Sequence, residues 1–267
     1  MSYQQLASRA KPAVIIFALD ESGSMGTNLT GTQDPRFKWV ERYFGNILFE
    51  LLTRSTEMAG DSQRVKPRYY VYVLQYGSTT RVWGSGLMDI EAAVKLFSAN
   101  GQSLGLGGNL GGTDAERAFS EIEPEIQKIV ANPRFVNSFP PMLFHLTDGA
   151  SQTDAGPIAD RIKRLTTNDG NVLVLNAYIG TQTNLNYQGP DDFPGYLSSQ
   201  DVGSDPDNLR LFEMSSVVPD TIQQNLVNNR VFPQIRPGAR LFFDVRTQDM
   251  LKNVIQIVGS IASRVAA

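Results

Sequence analysis

Seven apolar residues run without interruption from Ala13 to Leu19 (AVIIFAL) and stop at Asp20. A short run with no polar alternation fits a strand buried on both faces, which is the situation of a central strand in a parallel sheet. Arg68 to Gln75 (RYYVYVLQ), Pro141 to Thr147 (PMLFHLT), Asn171 to Ile179 (NVLVLNAYI) and Arg240 to Val245 (RLFFDV) are segments of the same kind. Thr80 to Trp83 predicts an adjoining edge strand.

Between these runs the apolar period changes to that of a helix. From Arg36 to Thr56, the residues Phe37, Val40, Phe44, Ile47, Leu48, Leu51 and Leu52 fall on one stripe. Gly45 inside that stripe points to a close approach of helix and sheet. Further helices are predicted over 89–98, 113–130, 157–167 and 247–263, the last with Met250, Leu251, Val254, Ile255, Val258 and Ile261 inward. Pro124 predicts a kink or a split in the second of these. The stretch AGDSQRVKP reads as a polar linker. Strands alternating with helices define the fold class as α/β, doubly wound, with a mostly parallel central sheet flanked by helices on both faces.

The chain organises as one domain over 12–267, preceded by a segment 1–11. An irregular insertion at about 181–239 is rich in Asn, Asp, Pro and Gly, with two short helical pieces near 207–215 and 219–228. It leaves a strand at its carboxyl end, so it is expected on the rim of any site there or packed over the last helices. Deleting 185–200 is expected to leave folding largely intact.

Composition removes several function classes. The formal net charge is −3 and no stretch concentrates Lys and Arg, which disfavours nucleic acid as a partner. With no cysteine and one histidine, thiolate zinc sites, iron–sulfur ligation and histidine-cluster zinc catalysis are out. No run approaches the roughly 20 apolar residues that span a bilayer, so no membrane partner is expected. The opening MSYQQLASRAKP lacks the apolar core of a signal peptide, which predicts a cytoplasmic location.

In open doubly wound sheets, ligands bind beyond the carboxyl ends of the strands where the strand order reverses. Three oxygen-bearing segments fall there: Asp20, Ser22 and Ser24 after the first strand, Thr113 in GGTD, and Asp148 in LTDG. Carboxylates and hydroxyls are hard donors and suit Mg²⁺, or Mn²⁺ and Ca²⁺, rather than Zn²⁺ or Cu²⁺. Each segment also has a plainer reading. Asp20, Ser22 and Ser24 could cap a turn. Thr113 could be a helix N-cap with Glu116 completing a capping box. Asp148-Gly149 alone could be a turn.

The loop GQSLGLGGNLGG has six glycines in twelve residues but lacks the Gly-Lys-Ser/Thr ending of a phosphate-binding loop, so it reads as a flexible approach to Thr113. His145 alternates with apolar residues and reads as a hydrogen-bonded core or edge histidine. Tyr69, Tyr70 and Trp83 read as packing, and Asp154 as solvated.

ALDESGSM, GGTD and LTDG, in that order and on those elements, resemble the von Willebrand factor A domain, whose metal-ion-dependent adhesion site has the pattern DxSxS…T…D. The resemblance covers about 12–180 and the closing strand and helix, and nothing carries over to 181–239. It implies Ser22, Ser24 and Thr113 as direct ligands of a divalent cation, with Asp20 and Asp148 acting directly or through water. It implies a protein-binding module in which a partner's Asp or Glu completes the coordination, not an enzyme. A metal-independent scaffold and a metal-dependent hydrolase are the alternatives. Among relatives, bacterial cytosolic A-domain proteins are the most similar. That implies a partner from an ATPase, kinase or phosphatase system.

Overall fold

The computed structural model describes residues 3–29, 31–59, 62–149, 151–179 and 183–261. Its elements run in the order β1 (Ala13–Asp20), α1 (Arg36–Ser55), β2 (Thr56–Ala59), β3 (Ser62–Val65), β4 (Tyr69–Tyr76), β5 (Thr80–Val82), β6 (Met88–Asp89), α2 (Ile90–Ala99) and α3 (Ala115–Ala131). They continue with β7 (Met142–Thr147), α4 (Gly156–Ile162), β8 (Leu173–Tyr178), α5 (Ser199–Val202), α6 (Pro206–Met214), α7 (Asp220–Asn228), β9 (Phe242–Asp244) and α8 (Gln248–Ile261).

β1 is buried along its whole length because it has a parallel neighbour on each side, β4 and β7. The main sheet runs β5-β4-β1-β7-β8-β9, with β6 also paired to β4. Only β5 and β6 are antiparallel to their neighbour. The chain passes from β1 to β4 on one side and then returns to β7 on the other, so the strand order reverses at β1.

Both faces of the sheet are covered. Phe17 and Phe144 are register partners and meet with ring centroids 5.5 Å apart. Phe17 packs edge-on to Phe44 of α1 at 5.0 Å. The next register pair is Ala18 and His145. Successive strand residues face opposite ways, and His145 accordingly meets Phe119 of α3 at 5.1 Å. Helix α1 lies beside α2 and α8 on the first face, whereas α3, α4 and α6 follow one another on the second. No helix among the described residues is long and apolar enough to cross a membrane.

Several local expectations change. Gly45 marks a close approach of two helices, not of helix and sheet: a Cβ there would lie 2.8 Å from Phe97 Cε1 of α2. Helix α3 runs through Pro124 unbroken. Pro124 and Ser120, the residue whose carbonyl it leaves without a helical donor, are both exposed, so water can take the missing bond. The polar stretch after α1 is a hairpin, β2 with β3, pairing Thr56 with Val65. Its β3 strand is mostly exposed, so it has no apolar alternation to announce it. Helix α4 stops at Ile162, five residues early. A turn centred on Asn168-Asp169-Gly170 follows, in which Thr167 N donates to Gly170 O at 2.9 Å. Residues 262–263 and the side chains of Val258 and Ile261 lie outside the described residues.

The insertion is built into the core. Phe193, Tyr196 and Phe232 are fully buried, and Phe193 contacts Phe232 and Phe243 at 5.4 and 5.5 Å while Tyr196 contacts Phe242 at 5.0 Å. Tyr196 and Val217 each bridge to Arg240 just before β9. The expectation that 185–200 can be removed without loss of folding is therefore reversed, because those residues supply the apolar cover of β9. The insertion also reaches α8, where Asn253 Nδ2 donates to Val231 O at 2.7 Å. The leading segment is tied down at the amino ends of the strands. Gln4 and Gln5 donate their backbone N–H to the Asp169 carboxylate at 2.9 and 3.1 Å.

Candidate metal centre

Asp20 is the last residue of β1, and Thr147 is the last of β7, the parallel neighbour. The Thr147 hydroxyl donates to Asp20 Oδ2 at 2.6 Å, and the backbone N–H of Ser22 donates to Oδ1 at 2.8 Å. Beyond β1 the chain turns through one 3-10 turn, Gly23–Gly26, which sets the Ser22 and Ser24 hydroxyls 3.1 Å apart. Ser24 Oγ then donates to Asp148 Oδ1 at 2.7 Å. Asp148 follows Thr147 directly, so the reversal of strand order at β1 brings Asp20, Ser22, Ser24 and Asp148 into one hydrogen-bonded group. Arg36, the first residue of α1, donates to Asp148 Oδ2.

Thr113 reaches the same place through backbone bonds. Gly23 N donates to Gly111 O at 3.0 Å, and Gln152 N donates to Thr113 O at 3.0 Å. The helix-capping role expected for Thr113 belongs instead to its neighbour: Asp114 Oδ1 accepts from Arg117 N at 3.1 Å. Ser151 Oγ and Thr153 Oγ1 take the N–H groups of Ala115 and Glu116 at 3.1 and 3.2 Å. With α3 capped by others, the hydroxyl of Thr113 is left out of the capping bonds, although the residue as a whole is buried.

The glycine-rich loop is pinned, contrary to the flexible approach expected from its composition. Glu41 Oε1 on α1 accepts from Ser103 Oγ and from the N–H groups of Leu104 and Leu106, at 2.8, 3.0 and 3.0 Å. Glu21 Oε1 accepts from Gly107 N at 2.9 Å, and its Oε2 meets Arg81 at 3.1 Å. Close packing demands the glycines. A Cβ on Gly108 would sit 2.8 Å from Gly26 N, and one on Gly77 would sit 2.5 Å from Leu110. Glu41→Ala removes three bonds at once and is expected to raise amide hydrogen exchange at Leu104 and Leu106 at least about tenfold. Unchanged protection there would show that the glycine packing alone fixes the loop.

Burial pushes the Asp20 carboxyl up to about 6, against the hydrogen bonds from Ser22 and Thr147 that hold it down. Burial likewise raises Glu21, opposed by the Gly107 N–H and Arg81. His145 is the core histidine its setting predicts. Asn176 Oδ1 can only accept, so the His145 Nδ1 at 2.7 Å carries the proton. Nε2 therefore accepts from the Tyr76 hydroxyl at 2.6 Å. With both nitrogens engaged and burial lowering its pKa to about 4, His145 is a fixed neutral group with no free nitrogen for proton transfer.

Asp154 is exposed and accepts the Gly156 N–H at 2.9 Å at the start of α4. Trp83 packs edge-on to Phe44 and Tyr70 edge-on to Phe135, so both serve packing.

The Ser22 and Ser24 hydroxyls and the Asp20 and Asp148 carboxylates thus stand at one point of the sheet edge, with the backbone of Thr113 tied to the adjoining loops. Among the described residues no three His, Cys, Asp or Glu side chains group to hold a metal. Any cation here would rely on neutral hydroxyls, and that donor set fits a hard divalent ion. The exposed Ser24 leaves lone pairs for it. Sequence reasoning had no signal for Arg36, Glu21 or Glu41. For Thr147, its place beside Asp148 at the end of a strand was the one available hint.

No protein-family model matches the sequence, and no curated protein is similar to it. Solved structures are similar in fold. The proximal thread matrix protein 1 of the mussel byssus superposes with a TM-score of 0.52 at 10% identity, over 96% of this chain and 48% of that one. The same mussel protein with a zinc-occupied MIDAS motif gives 0.51 at 11% identity, over 94% and 47%. A von Willebrand factor type A structure from Catenulispora acidiphila gives 0.38 at 15% identity, over 63% and 33%. The chain spans about half the length of the mussel protein. The fold is α/β, doubly wound and mostly parallel, of the von Willebrand factor A and Rossmann-like type.

Proposed function

We propose that this chain is a divalent-cation-dependent protein-binding module. Ser22, Ser24, Thr113, Asp20 and Asp148 hold the cation, and a partner's aspartate or glutamate completes the coordination. The observation that carries this reading is the hydrogen-bonded group at the carboxyl ends of β1 and β7, where the Ser22 and Ser24 hydroxyls stand 3.1 Å apart, Ser24 donates to Asp148 and Thr147 donates to Asp20. The ion, Mg²⁺ or its oxygen-loving substitutes Mn²⁺ and Ca²⁺, supplies an electrophilic open position to a carboxylate. Ser24 donates a hydrogen bond to Asp148 and so turns lone-pair density outward. Thr147 donates a hydrogen bond to Asp20 and fixes that carboxylate. The mussel protein of similar fold has a zinc-occupied MIDAS motif, which supports divalent-cation competence for this chain. The closed surroundings of His145 favour binding over catalysis. A cytoplasmic setting and a partner from an ATPase, kinase or phosphatase system complete the proposal.

Titration calorimetry with Mg²⁺ and Mn²⁺ tests the ion, and affinity capture with and without EDTA tests the partner. Wild type is expected to bind the ion at millimolar concentration or below, and Thr113→Ala to bind it roughly tenfold more weakly or worse. Capture of a partner that survives both EDTA and Asp20→Ala would refute the proposal.

A further inference from the structure

Asp148 already has both carboxylate oxygens engaged. Ser24 Oγ donates to Oδ1 at 2.7 Å, and the Arg36 guanidinium donates to Oδ2. The Asp148 side chain is fully buried while that of Arg36 is 22% exposed, so the pair sits at the inner wall of the site rather than on open surface. Arg36 is held there by its backbone. Thr27 N donates to Ser24 O, and Arg36 N donates to Thr27 O, both at 2.9 Å. The start of α1 is thus chained to the serine loop. The other basic residues of this stretch turn away, Lys38 and Arg42 both pairing with Asp34 at 3.7 and 3.8 Å. Arg36 is the one that faces inward.

Its seat is an incomplete one. Nη1 makes the bond to Asp148, but Nε is buried without a partner among the described residues. Arginine binds carboxylates best through two parallel bonds, so a single bond with an orphan donor behind it is a contact the fold can exchange for another.

We infer that Arg36 is a resident counter-ion of the site, which competes with a divalent cation for Asp148 and sets how tightly that cation is held. This rests on the cation-binding reading above. A fixed positive charge bonded to one of the two carboxylates opposes a second positive charge on the same group. Arg36 thereby keeps Asp148 paired when no ion is bound, and makes a bound ion easier to release.

The test uses the full chain with Arg36→Met, which removes the charge and keeps the bulk, Arg36→Gln as a second neutral variant, and Arg36→Lys, which keeps the charge. Mn²⁺ binding is read from the paramagnetic resonance signal of free Mn²⁺, and thermal melts are run in EDTA and in saturating Mn²⁺. The neutral variants should bind Mn²⁺ roughly tenfold more tightly than wild type, and the lysine variant about as wild type does. In EDTA the neutral variants should melt below wild type, because Asp148 has lost a donor, and Mn²⁺ should close that gap.

Folded neutral variants that bind Mn²⁺ no more tightly than wild type would overturn the inference and leave the cation site standing. Equal melting in EDTA would overturn it as well. If neither wild type nor any variant binds Mn²⁺, the cation-site reading falls and takes this inference with it.

Discussion

Phe193→Ala is expected to lower the stability of the fold by about 3–5 kcal/mol. Phe193 is fully buried and touches Tyr187, Tyr196, Phe232 and Phe243, with centroid separations from 5.0 to 5.6 Å. Removing its ring leaves a cavity that four aromatic neighbours cannot close without repacking. Domains of this kind are stable by only about 5–15 kcal/mol in total, so the single truncation takes a large share. Equilibrium denaturation in urea measures it. A loss below ~1 kcal/mol would mean that the 181–239 segment packs less firmly than its burial implies. Deletion of 185–200 removes Tyr187, Phe193 and Tyr196 together, and is expected to abolish the near-ultraviolet circular dichroism of a packed core.

The second large effect is a pH dependence centred on Asp20. Its carboxyl titrates at about 6 in the folded protein against 3.8 for an unperturbed aspartate, with burial as the main cause. The folded state therefore binds this proton more tightly than the unfolded state. Below the unfolded value the group is protonated in both states and costs nothing. As pH rises from about 4 to about 6, folding stability falls, and above that range the ionised, buried carboxylate costs roughly 3 kcal/mol.

Asp20→Asn should remove that slope and melt higher than wild type at pH 7 in EDTA. A cation needs the ionised form, so the rise in melting temperature produced by Mg²⁺ should grow from pH 5 to pH 7. Thermal scans at matched ionic strength check both. A Mg²⁺ effect that is flat across this range would remove Asp20 from the cation's surroundings.

Much of the architecture was legible because β1 announces itself. An unbroken apolar run of seven residues, too short for a typical helix, fits a doubly covered strand, and the helical stripes beside it fix the alternation. The convergence of Asp20, Ser22, Ser24 and Asp148 followed from one rule about where strand order reverses. What was hidden was whatever depends on partners distant in sequence. Arg36 looks like any basic residue at a helix start until the chain closes and presents Asp148. Glycines 101–112 read as loose because composition reports local freedom. The Glu21 and Glu41 carboxylates that hold them come from the first loop and from α1. The insertion misled for a related reason. Its buried aromatics Tyr187, Phe193 and Tyr196 follow neither a helical nor a strand period, and Asn, Asp and Gly surround them. Hydrophobic periodicity detects regular elements, and Phe193 is an anchor in an irregular one.

The position of β1 between β4 and β7 bears on how the protein folds. β1 can pair with β4 early, once α1 has formed between them, but its other edge waits for the chain to complete α2 and α3 and reach β7. Long-range parallel pairing of that kind is slow to form. Asp20, Ser22 and Ser24 are on one side of that last docking step, and Asp148 is on the other. An unfolded or half-assembled chain therefore has no preformed grip on a cation, and an ion cannot template the sheet. The effect expected of the proposed cation is to slow unfolding and to pull the finished state forward by mass action. The protein is expected to fold at the same rate with or without the ion, and to come apart more slowly with it.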